Sequence, residues 1–104
     1  MSNKVVDNLY ETLKSVIEIK QDYAIISRYQ LKQYINHFSI ISFANPKFKQ
    51  ALFKLAKDLG FKYIIYKPLK KKGSVVGKIY FFKTLENELA KSILTLSRIK
   101  LFEV

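Results

Sequence analysis

The sequence predicts a mixed α+β fold in one domain, residues 1–104, with helices first, a β-hairpin next and a further helix last. Three observations carry that expectation. Apolar residues recur at helical spacing in the first sixty positions and again after position 84, whereas a block rich in Tyr, Ile, Phe and Val follows Gly60. A chain of 104 residues that is 49% hydrophobic, with 3 Gly and 2 Pro, has enough apolar surface for one core and little for a second. No linker, repeat or low-complexity tract divides it.

The elements follow in chain order. Over residues 3–19, Val6, Leu9, Leu13, Val16 and Ile17 share one helical face, with Asp7 and Glu11 early and Lys14 later, as the helix dipole favours. Residues 23–26 read as a short extended stretch. Ser27 with Gln30 three positions on forms a capping box, and Ile26 can staple onto Leu31, so a second helix starts there and carries Leu31, Tyr34, Ile35 and Phe38 on one side. The apolar residues 38–44 join it to a third helix. That helix opens at Asn45-Pro46, an Asn cap followed by Pro at the first helical position, and stops at Gly60. Phe48, Ala51, Leu52, Leu55, Ala56 and Leu59 fall on one arc of it, and Lys47, Gln50, Lys54 and Lys57 on the opposite arc.

Residues 61–67 and 75–82 read as the two strands of a hairpin whose tip holds Lys70, Lys71 and Lys72 before Gly73-Ser74. The aromatic residues Tyr63, Tyr66, Tyr80, Phe81 and Phe82 are expected as core pairs rather than as a stacking platform for bases. Thr84 is expected to cap a last helix over residues 84–104, in which Leu85, Leu89, Ile93, Leu96 and Ile99 form a stripe widened by Leu94 and Leu101. So wide a stripe exceeds what one small domain requires. It is expected to serve as a homodimer seam, with packing of the helix on its own core as the alternative.

Composition narrows the function. There is no Cys and a single His, His37, so disulfides, thiolate metal sites, cysteine nucleophiles and most acid–base arrangements are absent; no catalysis, cofactor or metal is expected. His37, at the end of a helix, is expected to interact with the helix dipole and to carry no chemistry. No apolar run approaches the roughly 20 residues needed to cross a bilayer, and no signal peptide is evident, so an intracellular, cytoplasmic protein without a membrane partner is expected.

Nineteen Lys and Arg against eight Asp and Glu give a net charge of +11. Residues 23–83 hold 13 basic residues and 1 acid, a balance of +12, and the two flanks together hold 6 and 7, a balance of −1. Lysine enrichment by genome composition would fall everywhere. The segregation therefore predicts an electropositive face suited to a polyanion.

Helix, helix, basic helix and a hairpin with a lysine tip, over residues 3–83, resemble the winged helix-turn-helix family, including the small DNA-binding proteins of archaea and their viruses. The resemblance implies a protein that binds double-stranded DNA and regulates transcription. In that family the third helix enters the major groove and the wing touches the backbone, roles that fall by position on Lys47, Gln50, Lys54 and Lys57 and on Lys70, Lys71 and Lys72. Gln50 would pair with adenine, Lys54 would reach guanine, and the other lysines would neutralise phosphates. The connection over residues 38–44 departs from the family, being longer than the roughly 3–4 residue turn of the motif. Two other readings stand beside this one. A protein–protein module would use residues 38–43 and the last helix to hold a partner, for example a viral protein on a host factor, and an architectural or RNA-binding protein would use the same lysines without reading sequence.

Overall fold

The computed structural model describes residues 4–27, 30–31, 45–68 and 77–104. Helix α1 covers Lys4–Val16, and the chain then forms a tight hairpin of β1, Glu18–Ile19, and β2, Tyr23–Ser27. Gln21 and Asp22 make its two-residue turn, closed by the Lys20 N–H donating to the Tyr23 carbonyl at 2.8 Å. Gln30 and Leu31 are helical. Helix α2 covers Pro46–Leu59, followed by β3, Tyr63–Pro68, and β4, Gly77–Phe82, then the short helix α3, Glu88–Leu94, and strand β5, Lys100–Glu103.

The described strands form one antiparallel sheet in the order β1-β2-β4-β3-β5. Alternation along each strand sends side chains to opposite faces, and here both faces are covered. On the first face Ala24, Ile26, Ile64, Tyr66, Ile79 and Phe81 pack against Leu9 and Leu13 of α1 and the inner arc of α2. On the second, Ile65, Tyr80 and Phe82 pack against Ala90 and Ile93 of α3. Among the described residues the result is three layers, with α1, α2 and the helical Leu31 on one face of the sheet and the short α3 on the other. A fully buried Phe, Leu or Ile of this kind contributes about 1.5–3 kcal/mol, so the paired cores hold the helices in fixed rotations.

The mixed α+β class, the first helix, the strand at residues 23–26, the hairpin strands and the bounds of α2 agree with expectation. Four particulars differ. The hairpin is not a free two-stranded wing: β4 is the central strand, and β2 and β5 flank the pair. The first helix ends at Val16, because Glu18 and Ile19 pair with Ile25 and Ala24. The expected helix over residues 84–104 is only seven residues long, and the chain then turns through Arg98, at φ 62°, into β5. Pairing with β3 supplies the backbone partners that a continued helix would have supplied. Thr84 is not the helix cap either. Its hydroxyl accepts from the Glu86 N–H, while Asn87 Oδ1 accepts from the N–H groups of Leu89 and Ala90.

Candidate nucleic-acid interface

Helix α2 is bounded as its sequence demands. Asn45 Oδ1 accepts from the Lys47 N–H at 2.9 Å, Pro46 takes the first turn, and Gly60 closes the helix at φ 81°, a left-handed conformation that favours glycine. The Phe61 N–H then reaches back to the Ala56 carbonyl at 2.8 Å. The inner arc, Phe48, Ala51, Leu52, Leu55 and Ala56, is fully buried. The outer arc, Lys47, Gln50, Lys54 and Lys57, is exposed. At 100° per residue, Gln50 and Lys57 point straight away from the sheet, and Lys47 and Lys54 lean toward α1.

The side chains along this arc are unequal. Lys54 Nζ lies 3.8 Å from Asp7 Oδ1 and 4.5 Å from the centre of the Tyr10 ring, so it bridges to α1. Tyr10 in turn donates its hydroxyl to Asp58 Oδ2 at 2.7 Å. That bond, with lesser contributions from desolvation and from the charges of Asp58 and Glu11, raises the Tyr10 pKa above its ordinary value. On the other flank Lys49 Nζ sits 4.7 Å from the Phe102 ring centre and 5.8 Å from that of Phe53. Lys47 and Lys57 have no acidic partner among the described residues.

A second basic pair lies elsewhere. Lys67 of β3 and Lys78 of β4 stand directly opposite in the ladder, and alternation puts both on the second sheet face with Ile65, Tyr80 and Phe82. Beside them Glu18, Ile25, Ser27, Gln30 and Lys78 line a shallow recess that α3 does not line. Two like charges opposed on one face are unfavourable, and neither lysine has an acidic partner among the described residues. Sequence reasoning passed over them, although the alternation Lys78-Ile79-Tyr80 opposite Ile65-Tyr66-Lys67 is a usable signal.

The expected wing residues Lys70, Lys71 and Lys72 lie outside the described residues, as do His37 and the connection at residues 38–44. The hairpin aromatics Tyr66, Tyr80, Phe81 and Phe82 are buried, Tyr63 is half-buried, and Tyr80 and Phe82 stack with ring centres 6.1 Å apart. Burial first, and Tyr23 second, raise the Tyr80 pKa. Of the expected dimer stripe, Ile93 is buried within the chain, and Leu85, Leu89 and Ile99 pack partly buried on the second core. Leu96 is 45% exposed.

A recess between the β1–β2 turn and the start of α3 is lined by Asp22, Glu86 and Glu88 as well as Lys83, a poor seat for phosphate. Among the described residues no group of three or more His, Cys, Asp or Glu side chains is placed to hold a metal ion, and no helix is long and apolar enough to cross a membrane. Comparison with protein-family models, curated proteins and solved structures found no match to this chain.

Proposed function

We propose that this chain binds double-stranded DNA through the outer arc of α2, and that it acts as a winged-helix regulator of transcription. The observation that carries the reading is the rigid, capped helix itself. Its inner arc is locked into the core, and its outer arc presents Lys47, Gln50 and Lys57 to solvent. Such a helix offers phosphate contacts at its ends and one amide suited to adenine between them. The chain order of α1, strands β1 and β2, helical residues Gln30 and Leu31, α2 and the paired strands β3 and β4 supports the winged-helix assignment, to which β1 and β5 are additions.

Two features of the arc fit a polyanion. Asp58, the one acid of the central segment, is already engaged by Tyr10. The Lys54–Asp7 pair is half-exposed at 3.8 Å, a kind of interaction worth about 0–1 kcal/mol, so Lys54 can exchange it for a phosphate at little cost.

The test is a titration of fluorescent duplexes followed by anisotropy. Lys47→Ala with Lys57→Ala weakens binding uniformly across sequences, and Gln50→Ala relaxes preference at one base position by about 1–3 kcal/mol if the helix reads the groove. A uniform loss with Gln50→Ala would favour the architectural reading instead. A wild-type chain that leaves duplex free at low salt would end the proposal.

A further inference from the structure

The two basic surfaces look in opposite directions. Lys47, Gln50 and Lys57 lie on the outside of the helical layer, and Lys67 and Lys78 lie on the far face of the sheet. A helix about 10 Å in diameter and the sheet beneath it stand between them. A straight duplex seated along α2 therefore cannot also lie across Lys67 and Lys78.

We propose that the Lys67–Lys78 face is a second phosphate-binding surface, and that one molecule bridges two duplex segments, one on α2 and one on the far face of the sheet. The inference rests on duplex binding by α2 and extends it. Three observations carry it. The two lysines are directly opposed in the ladder on one face, where a phosphate relieves the repulsion of their like charges. Neither is neutralised by an acid among the described residues. The surface beside them is a recess with the hydroxyl of Ser27 and the amide of Gln30 on its wall, both capable of donating to a phosphate oxygen. Glu18 on the same wall is drawn toward Lys20, whose Nζ is 3.6 Å from its carboxylate.

The α2 face and the sheet face have different partners in the fold, so they can be removed separately. The experiment immobilises one duplex on beads, adds the full chain and a second, labelled duplex, and measures labelled DNA retained, alongside anisotropy for simple binding. Wild type is expected to retain the label. Lys67→Ala with Lys78→Ala is expected to bind a single duplex within about threefold of wild type and to lose retention of the second. A thermal melt of each variant verifies folding, and Lys67→Gln with Lys78→Gln serves if the alanine pair melts early.

Wild type that binds duplex but never retains the second, or lysine variants that bridge as well as wild type, would overturn the inference and leave the α2 reading standing. Abolition of single-duplex binding by the Lys67 and Lys78 changes would also overturn it, by making that face the primary site. Failure of wild type to bind duplex at all would remove the α2 reading and bridging together.

Discussion

Tyr10 donates its hydroxyl to Asp58 across the α1–α2 packing at 2.7 Å. The bond clamps the two helices of the first layer to each other and occupies the single carboxylate that lies on α2. The same ring carries Lys54 on its face, so one tyrosine organises the α1 side of the basic arc.

That arrangement has a pH signature. The Tyr10 pKa is raised in the folded chain, so above about pH 10 the unfolded tyrosine loses its proton before the folded one does. The unfolded state then binds fewer protons, and stability falls as pH rises through the folded-state pKa. Denaturant melts of wild type should lose stability above about pH 10 more steeply than melts of Tyr10→Phe, as tracked by tyrosine absorbance and circular dichroism. Equal slopes would mean that Asp58 does not hold the phenol proton.

Gly77 begins β4 opposite Pro68, and a Cβ placed there would lie 3.0 Å from the Lys67 carbonyl oxygen and 3.0 Å from the Tyr66 hydroxyl. Gly77→Ala should cost about 1–3 kcal/mol through overpacking against backbone. Gly60→Ala has open space, and its cost of about 1–2 kcal/mol comes from the left-handed φ of 81°. Asn is tolerated in that conformation, so Gly60→Asn should recover much of the loss, whereas Gly77→Asn should recover none. Urea titrations at constant m-value measure both.

The cap of α3 distinguishes two neighbouring residues. Asn87→Ala should cost about 1 kcal/mol, because its side chain satisfies two N–H groups of the first turn. Thr84→Ala should cost less, since Thr84 closes only a turn at Glu86. A thermal shift of about 4–8 °C per kcal/mol resolves the difference.

Much of this architecture is legible from residue order alone. Asn45-Pro46 and Gly60 mark the bounds of α2 because each solves a local problem, an unpaired N–H group or a left-handed turn, that no distant residue is needed to solve. Strands β1 and β5 are another matter. Two or four residues are too short for a period to emerge, and their backbone partners, Ile25 and Ala24 or residues 63–66, are supplied by the sheet. The spacing of Ile93, Leu96 and Ile99 fits a helix equally well; the helix nonetheless ends at Leu94, the chain turns through Arg98, and tertiary pairing of β5 decides the outcome. The arc of Lys47, Gln50, Lys54 and Lys57 can be read from periodicity. That Lys54 is engaged by Asp7 and Tyr10 depends on how α1 packs, which periodicity does not contain.

The C-terminal stripe is split by the end of α3 at Leu94, and its residues should respond differently. Ile93→Ala opens a cavity in the second core and should cost about 2–5 kcal/mol. Leu96→Glu, at a 45% exposed position, should change stability by less than about 0.5 kcal/mol. Light scattering on Leu96→Glu addresses association as well: a wild-type dimer mass that falls to the monomer value would place Leu96 at a seam between copies.

The central claim is that α2 meets the phosphate backbone of duplex DNA, and the slope of log affinity against log salt tests it most directly. Removal of Lys47 and Lys57 together should flatten that slope by about 2, near 1 for each phosphate no longer neutralised. A slope unchanged by the double substitution, in a chain that still binds, would place the duplex on some other surface and contradict the claim.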